Sequence, residues 1–268
     1  MLKLKQLALS FVLLVFSFAT IAQENPIGAI AGANAAIIAS QYDLIDRANG
    51  AYLYANKQRN VFVQVTDLRK AYFENAYDQR TTNQNSFFRK PISAFASGNY
   101  FSVINGAFFN QENYEYTTIS FPFTPGGVYW DSRYENKRSL CVKSNNVATV
   151  ELTGTGAPNY SHACKFSLIL LHPSVNKGMY EPKGRTYIGV SPRNSHFVLF
   201  FVAKSKKQPE MEEIANLWGI PKSKLILGDG SGSSQYYGRS DRLYGNKGGY
   251  NEPDHRPIPH AIVTKVRR

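Results

Sequence analysis

The chain has 268 residues, 43% of them hydrophobic, and a formal net charge of +12. That length can bury a full core as one large domain or two small ones, and no stretch beyond the N-terminal leader is apolar enough to span a bilayer. The basic residues are scattered, as at Lys57/Arg59, Lys137/Arg138 and Lys204/Lys206/Lys207. No basic helix or recognition motif gathers them, which argues against nucleic acid and for anionic glycans or similar polymers as partners.

Lys3 and Lys5 precede an apolar run from Leu7 to Phe18, and Thr20-Ile21-Ala22 offers small residues where a signal peptidase cuts. Residues 1–22 read as a signal peptide cleaved after Ala22. The competing reading is an uncleaved anchor, but the run falls short of the roughly 20 residues a span needs. Losing the two lysines leaves +10 on a chain expected to be exported, periplasmic or secreted, without stable membrane insertion. Cys141 and Cys164 are the only cysteines. In an exported chain they predict one disulfide. The five histidines lack metal-ligand spacing, so neither a metal nor a cofactor is expected.

Residues 23–59 read as a helical lead-in, with a helix over about 33–48. The glycines at 28 and 32 lack the strand-helix context of a nucleotide loop. From residue 60 to 268 the pattern is that of one β-rich domain. Val61 to Asp67 is a strand, and further strands are expected within 100–109, 117–121, 127–130, 147–152 and 165–171. Arg185 to Val190 and His196 to Val202 form a hairpin around Ser191-Pro192-Arg193-Asn194-Ser195. Pro209, Glu210 and Glu213 open a helix that Gly219 closes, with Met211, Ile214, Ala215, Leu217 and Trp218 on its buried face. A short strand at 224–228, an Asp-Gly turn, a strand at 235–238, a long loop over 239–257 and a closing strand at 260–266 complete the chain. The fold class is α+β, a single domain with a large mixed β-sheet and a few packed helices.

The most informative stretch is Leu225-Ile226-Leu227-Gly228-Asp229-Gly230-Ser231-Gly232-Ser233-Ser234-Gln235. A buried strand delivers a carboxylate into a turn of small residues that a ligand can approach closely. Alone, it reads equally well as a tight turn in which Asp229 bonds its own loop amides. Three other segments carry polar groups that a plain core does not need: Asn105-Gly106-Ala107-Phe108-Phe109, Gly184-Arg185-Thr186-Tyr187-Ile188-Gly189, and His255-Arg256-Pro257-Ile258-Pro259-His260-Ala261. Thr124-Pro125-Gly126-Gly127-Val128 adds a turn with two glycines.

In order and spacing these segments resemble the phosphodiester glycosidase domain family. Its pattern runs Asn-Gly-(Gly)-Phe-Phe, Arg-x-x-Ile-Gly, a helix, Asp-Gly-Gly-Gly-Ser-Ser and Arg-x-x-x-x-Ala. The resemblance covers about 60–266. Ala107 and Ser231 stand where glycines are frequent, and Gly228 where an apolar residue is usual. A serine at a position needing positive φ would strain or reshape the loop.

The resemblance implies hydrolysis of a sugar–phosphate bond at the anomeric carbon. The leaving phosphate ester is already stable as an anion, so a strong general acid is less needed than in other glycosidases. A carboxylate must act as nucleophile, activate water or steady the transition state, and donors must hold phosphate oxygens. Asp229 takes the carboxylate role. Arg185 and Arg256 take the phosphate, and amides at Gly230, Gly232, Ser233 and Ser234 form an anion nest beside Gly106. Asn105 bonds a sugar hydroxyl or orients Asp229. A second carboxylate, if needed, is Asp67, Asp131 or Glu74, which leaves retention and inversion both open. Each role has a structural counterpart: the arginines pairing with Asp229, Asn105 capping a turn, Phe108 and Phe109 in the core, Tyr236 and Tyr237 as plain strand residues. His255 is the one histidine worth testing. The alternative function is a non-catalytic glycan-binding or polysaccharide-export accessory protein on the same fold.

Overall fold

The computed structural model describes residues 25–80, 85–110, 115–124, 136–153, 164–239, 243–245 and 256–267. Two short helices, Ile27–Ala31 and Ala35–Gln41, are followed by β1 (Tyr42–Ala48), β2 (Ala51–Asn56), β3 (Val61–Asp67) and β4 (Ala71–Tyr77). Next come β5 (Phe87–Phe88), β6 (Tyr100–Asn105), β7 (Tyr116–Thr117), β8 (Phe123–Thr124), β9 (Lys137–Lys143), β10 (Ala148–Thr153) and β11 (Cys164–Leu171). β12 (Lys183–Val190) and β13 (Phe197–Lys206) lead into the helix Gln208–Leu217, and β14 (Leu225–Leu227), β15 (Gln235–Gly238), β16 (Leu243–Gly245) and β17 (His260–Val266) end the chain.

The large sheet runs β1-β2-β3-β13-β12-β14-β11-β9-β10, with β8 also on β11, and a second sheet runs β16-β15-β6-β17-β4. The single α+β domain expected from the sequence stands. Its sheets are antiparallel rather than mixed: every strand pairing among the described residues is antiparallel. A helix between β13 and β14 would normally make parallel neighbours. Here β12, the hairpin partner of β13, lies between them, so each contact is antiparallel.

The two sheets face each other. Phe73 of β4 packs edge-on against Phe166 (5.5 Å) and Phe200 (5.2 Å) of the large sheet. β3 is buried along its whole length, and its one amide, Gln64, donates to Thr66 and to Thr264 of the second sheet at 2.9 and 2.8 Å. A buried amide without such partners would cost several kcal/mol, on the order of 2–7, so this network fixes the register between the sheets.

The helix Gln208–Leu217 forms as its sequence predicts. Lys207 N–H donates to the Glu210 carboxylate at 2.7 Å, satisfying an end donor. Met211 and Ala215 are buried, and Trp218 closes against Tyr42 and Tyr54. Cys141 of β9 and Cys164 of β11 are disulfide-bonded with their Cα atoms 5.5 Å apart. Closing a loop of that size stabilises the fold by about 3 kcal/mol.

The N-terminal region departs from expectation. The helix expected over about 33–48 ends at Gln41, and residues 42–56 form β1 and β2 of the large sheet. Isoleucines at 37, 38 and 45 imitate a helical face, whereas β1 is an edge strand whose Asp43, Asp46 and Arg47 guard an unpaired side. The loop expected over 239–257 contributes β16, which pairs with β15. Residues 1–22, the strand expected at 127–130, Asp131 and His255 lie outside the described residues. Among the described residues, no helix is long and apolar enough to cross a membrane.

Candidate active site

Asp229 lies two residues beyond Leu227, the last residue of β14, at the seam between the sheets. Its backbone is held from the second sheet. Asn105, the last residue of β6, is buried and donates from Nδ2 to the Asp229 carbonyl at 2.9 Å. The Asn105 Oδ1 accepts from Thr186 Oγ1 of β12 at 2.8 Å and from the Gln235 amide at 3.1 Å. One amide side chain thus joins β6, β12, β15 and the Asp229 turn, with three of its hydrogen-bonding positions occupied. Of the two roles expected for Asn105, this is the orienting one, exerted on the Asp229 backbone.

The turn closes on itself. Gly230 N–H donates to Asp229 Oδ1 at 2.9 Å, Ser233 N–H to the Gly230 carbonyl and Ser234 N–H to the Ser231 carbonyl. The expected anion nest is therefore corrected: amides of Gly230, Ser233 and Ser234 are spent inside the turn. Ser231 has φ +57°, the left-handed conformation that favours glycine. It costs a non-glycine residue about 1 kcal/mol or more. At Gly232 an added Cβ would lie 3.3 Å from the Arg256 guanidinium. A Cβ added at Gly228 would lie 3.3 Å from Thr186, which leaves little room for the larger residue usual there.

Asp229 looks into a cavity of about 390 Å³. Phe108, Leu227 and Gly228 line its apolar part, and Lys177, Lys183, Arg185 and Arg256 bring cations; Asn176, Gly178, Gly230 and Ser231 complete the wall. Among the described residues lining it, Asp229 is the one carboxylate. Burial pushes its pKa up to about 6, against the opposing pull of the nearby Ser233 hydroxyl, the Gly230 amide, Arg256 and Lys177. Ser233 Oγ itself is buried and makes no hydrogen bond of normal geometry.

Arg185 is not an open phosphate clamp. It is 2% exposed. Its Nε donates to the Lys206 carbonyl, Nη1 to that of Lys177, and Nη2 to those of Gly178 and Glu181. Four of its five N–H groups are committed to backbone oxygens, so it braces the loop that walls the cavity. Arg256 faces the cavity, and its carbonyl accepts from Gln235 Nε2 at 2.7 Å.

Gly106 serves packing. A Cβ there would fall 2.1 Å from His260 Nδ1. That nitrogen accepts from Ala107 N–H at 3.0 Å, which puts the ring proton on Nε2, 3.0 Å from Asn75 Oδ1. Burial drives the His260 pKa down to about 3, so the ring is a neutral clip under the segment that carries Phe108 to the cavity. Phe108 touches Phe121 in the core as well. Tyr236 is buried, and Tyr237 stacks on Tyr100; neither lines the cavity. Asp67 is hydrogen-bonded to Arg69 and Glu74 is paired with Lys265, both away from the cavity. Sequence reasoning missed Lys177, Lys183 and Thr186. Lys177 and Lys183 flank a polar loop with no motif, and Thr186 sits inside a strand that reads as core.

The family model for phosphodiester glycosidases matches residues 98–265, a span that contains all four polar segments. The chain belongs to the phosphodiester glycosidase family. Among solved structures, this phosphodiester glycosidase domain is similar to the catalytic domain of zebrafish N-acetylglucosamine-1-phosphodiester alpha-N-acetylglucosaminidase, auto-inhibited by its pro-peptide. The TM-score is 0.59 at 10% identity, over 85% of this chain and 82% of that one. A hypothetical protein from Synechocystis is similar with a TM-score of 0.45 at 11% identity, over 84% of this chain and 61% of that one. No curated protein matches. At such identities the likeness is one of fold.

Proposed function

We propose that this phosphodiester glycosidase domain is an exported hydrolase of glycosyl phosphodiesters or related surface-polysaccharide bonds. The observation that carries the reading is a carboxylate with a raised pKa, Asp229, in a cavity whose other charged lining residues among those described are cations. Such a site favours an anionic substrate and keeps one group able to gain and lose a proton near neutrality. Above about pH 6 the ionised Asp229 either attacks the anomeric carbon, forming a glycosyl ester that water then hydrolyses to free the sugar and the carboxylate, or draws a proton from the water that attacks that carbon. The carbon–oxygen bond to phosphate breaks, and its electron pair leaves on a phosphate oxygen that needs no proton. Arg256 holds the phosphate with two parallel hydrogen bonds to two of its oxygens. Asn105, itself oriented by the Thr186 hydroxyl, holds the Asp229 backbone so that the carboxylate meets substrate without reorganising.

Export is supported by the leader pattern of residues 1–22 and by the disulfide Cys141–Cys164, a bond typical of oxidising compartments. The partner is a phosphorylated or otherwise anionic glycan. A non-catalytic glycan-binding role is the second reading, favoured by Ser231 in a strained conformation where the family has glycine. The test is turnover of an α-linked sugar 1-phosphodiester by wild-type protein and Asp229→Asn. Hydrolysis that falls about a thousandfold or more in the variant supports catalysis. Binding without turnover in either protein supports the second reading.

A further inference from the structure

The cavity wall formed by residues 173–181 has no regular secondary structure, yet it is tied down at many points. Arg185 bonds the carbonyls of Lys177, Gly178 and Glu181 from beneath. Gln208, fully buried at the start of its helix, bonds the same loop with both ends of its side chain. Its Oε1 accepts from Lys177 N–H at 2.9 Å, and its Nε2 donates to the carbonyls of Pro173 (3.2 Å) and Val175 (3.0 Å). Its own backbone N–H donates to the Met179 carbonyl at 2.9 Å. Lys177 is thus gripped on both sides of its backbone. Its ammonium lies 5.3 Å from the Phe108 ring centroid, on the same cavity as Asp229 and Arg256.

We infer that Lys177 is an anion-binding residue of this cavity, and that Arg185 and Gln208 are positioning residues that hold it there. The inference builds on the proposed anionic substrate and assigns its recognition differently from the sequence pattern. The arginine of β12 acts through a loop, and a lysine from that loop meets the negative charge. A buried guanidinium with four carbonyl partners cannot turn toward substrate without giving up all four of those hydrogen bonds. An ammonium on a fixed backbone at the cavity wall carries a full positive charge on a flexible stem, which brings that charge to a phosphate oxygen inside the cavity. Its field also favours the ionised form of Asp229, which ties charge recognition to the group proposed for the chemistry.

The experiment is a double-mutant cycle on the full chain, reading inorganic phosphate affinity by NMR titration and melting temperature on the same samples. Lys177→Met is expected to weaken phosphate binding about tenfold or more, the loss of one charge-assisted hydrogen bond, with an unchanged melting temperature, and Lys177→Arg to restore most of it. Gln208→Ala, which removes no charge, is expected to weaken phosphate severalfold in the wild-type background and not at all beside Lys177→Met. Equal phosphate affinity in wild type and Lys177→Met overturns the inference, as does an effect of Gln208→Ala that persists without Lys177. Because phosphate binding needs no turnover, a Lys177-dependent affinity in a protein that hydrolyses nothing would sustain this inference and refute the hydrolase reading.

Discussion

Two walls of the cavity are built on opposite plans. The wall at residues 173–181 makes two internal hydrogen bonds, Met179 N–H to Asn176 Oδ1 and Glu181 N–H to the Gly178 carbonyl, and is otherwise held from outside, by Arg185 and Gln208 bonding its backbone. The turn from Asp229 to Ser234 closes several of its own hydrogen bonds, carries a left-handed Ser231 and is clasped from elsewhere by Asn105 at the Asp229 carbonyl and by Thr186 at the Ser234 hydroxyl. A wall braced from outside can present a long, mobile side chain such as Lys177 at a fixed height. A self-closed turn presents a short carboxylate rigidly, at the expense of local strain. Recognition and chemistry are thus assigned to walls of different mechanical character.

Breaking the outer brace should have the largest effect on stability. Arg185→Met removes four hydrogen bonds to backbone carbonyls and should cost about 3 kcal/mol or more. Denaturant unfolding measures it; a loss under 1 kcal/mol would mean that water replaces the guanidinium and the brace is not rigid. The other wall should reveal itself through pH. The folded-state pKa of Asp229 is about 6, against an ordinary 3.8. Below about pH 4 the carboxyl is protonated in both states and no penalty exists. As pH rises from about 4 through about 6 the unfolded chain releases its proton first, so stability falls, by about 2 to 3 kcal/mol in all. Asp229→Asn removes that slope. The difference in unfolding free energy between wild type and variant, followed from pH 4 to pH 8, should grow in favour of the variant; a flat difference would show that burial does not perturb the carboxyl. The smallest effect is expected at Ser231→Gly. Relief of the left-handed serine, offset by the greater entropy of glycine in the unfolded chain, should stabilise by about 0.5 to 1 kcal/mol. A destabilisation on thermal melting would mean that the Ser231 side chain contributes contacts outweighing its backbone strain.

The turn was legible in the sequence because its chemistry is local: an acid after a short apolar strand, followed by glycine and serine, is visible within eleven residues. The hairpin of β12 and β13 and the helix Gln208–Leu217 were legible for the same reason, through turn and end signals. The outer brace was not. Arg185 and Gln208 bind carbonyls, and a carbonyl carries no residue identity, so nothing in the composition of 173–181 announces that it is held or that Lys177 faces a cavity. The phosphate clamp assigned to Arg185 failed on that ground, since its guanidinium is already satisfied. The anion nest failed because 3-10 turns in the loop consume their own amides. The strand β1 was misread because an edge strand with charges on its open side loses the strict alternation that marks a half-buried strand.

The central claim is that Asp229 does its chemistry as an ionised group tuned by burial among cations. It is tested most directly by kcat/KM for an α-linked sugar 1-phosphodiester between pH 4.5 and pH 8, a range spanning roughly two units on either side of the Asp229 transition. The account predicts a wild-type rate that rises with pH through a midpoint of about 6 and is absent from Asp229→Asn at every pH. Hydrolysis by Asp229→Asn at the wild-type rate, or a wild-type profile without an inflection in that range, would contradict it.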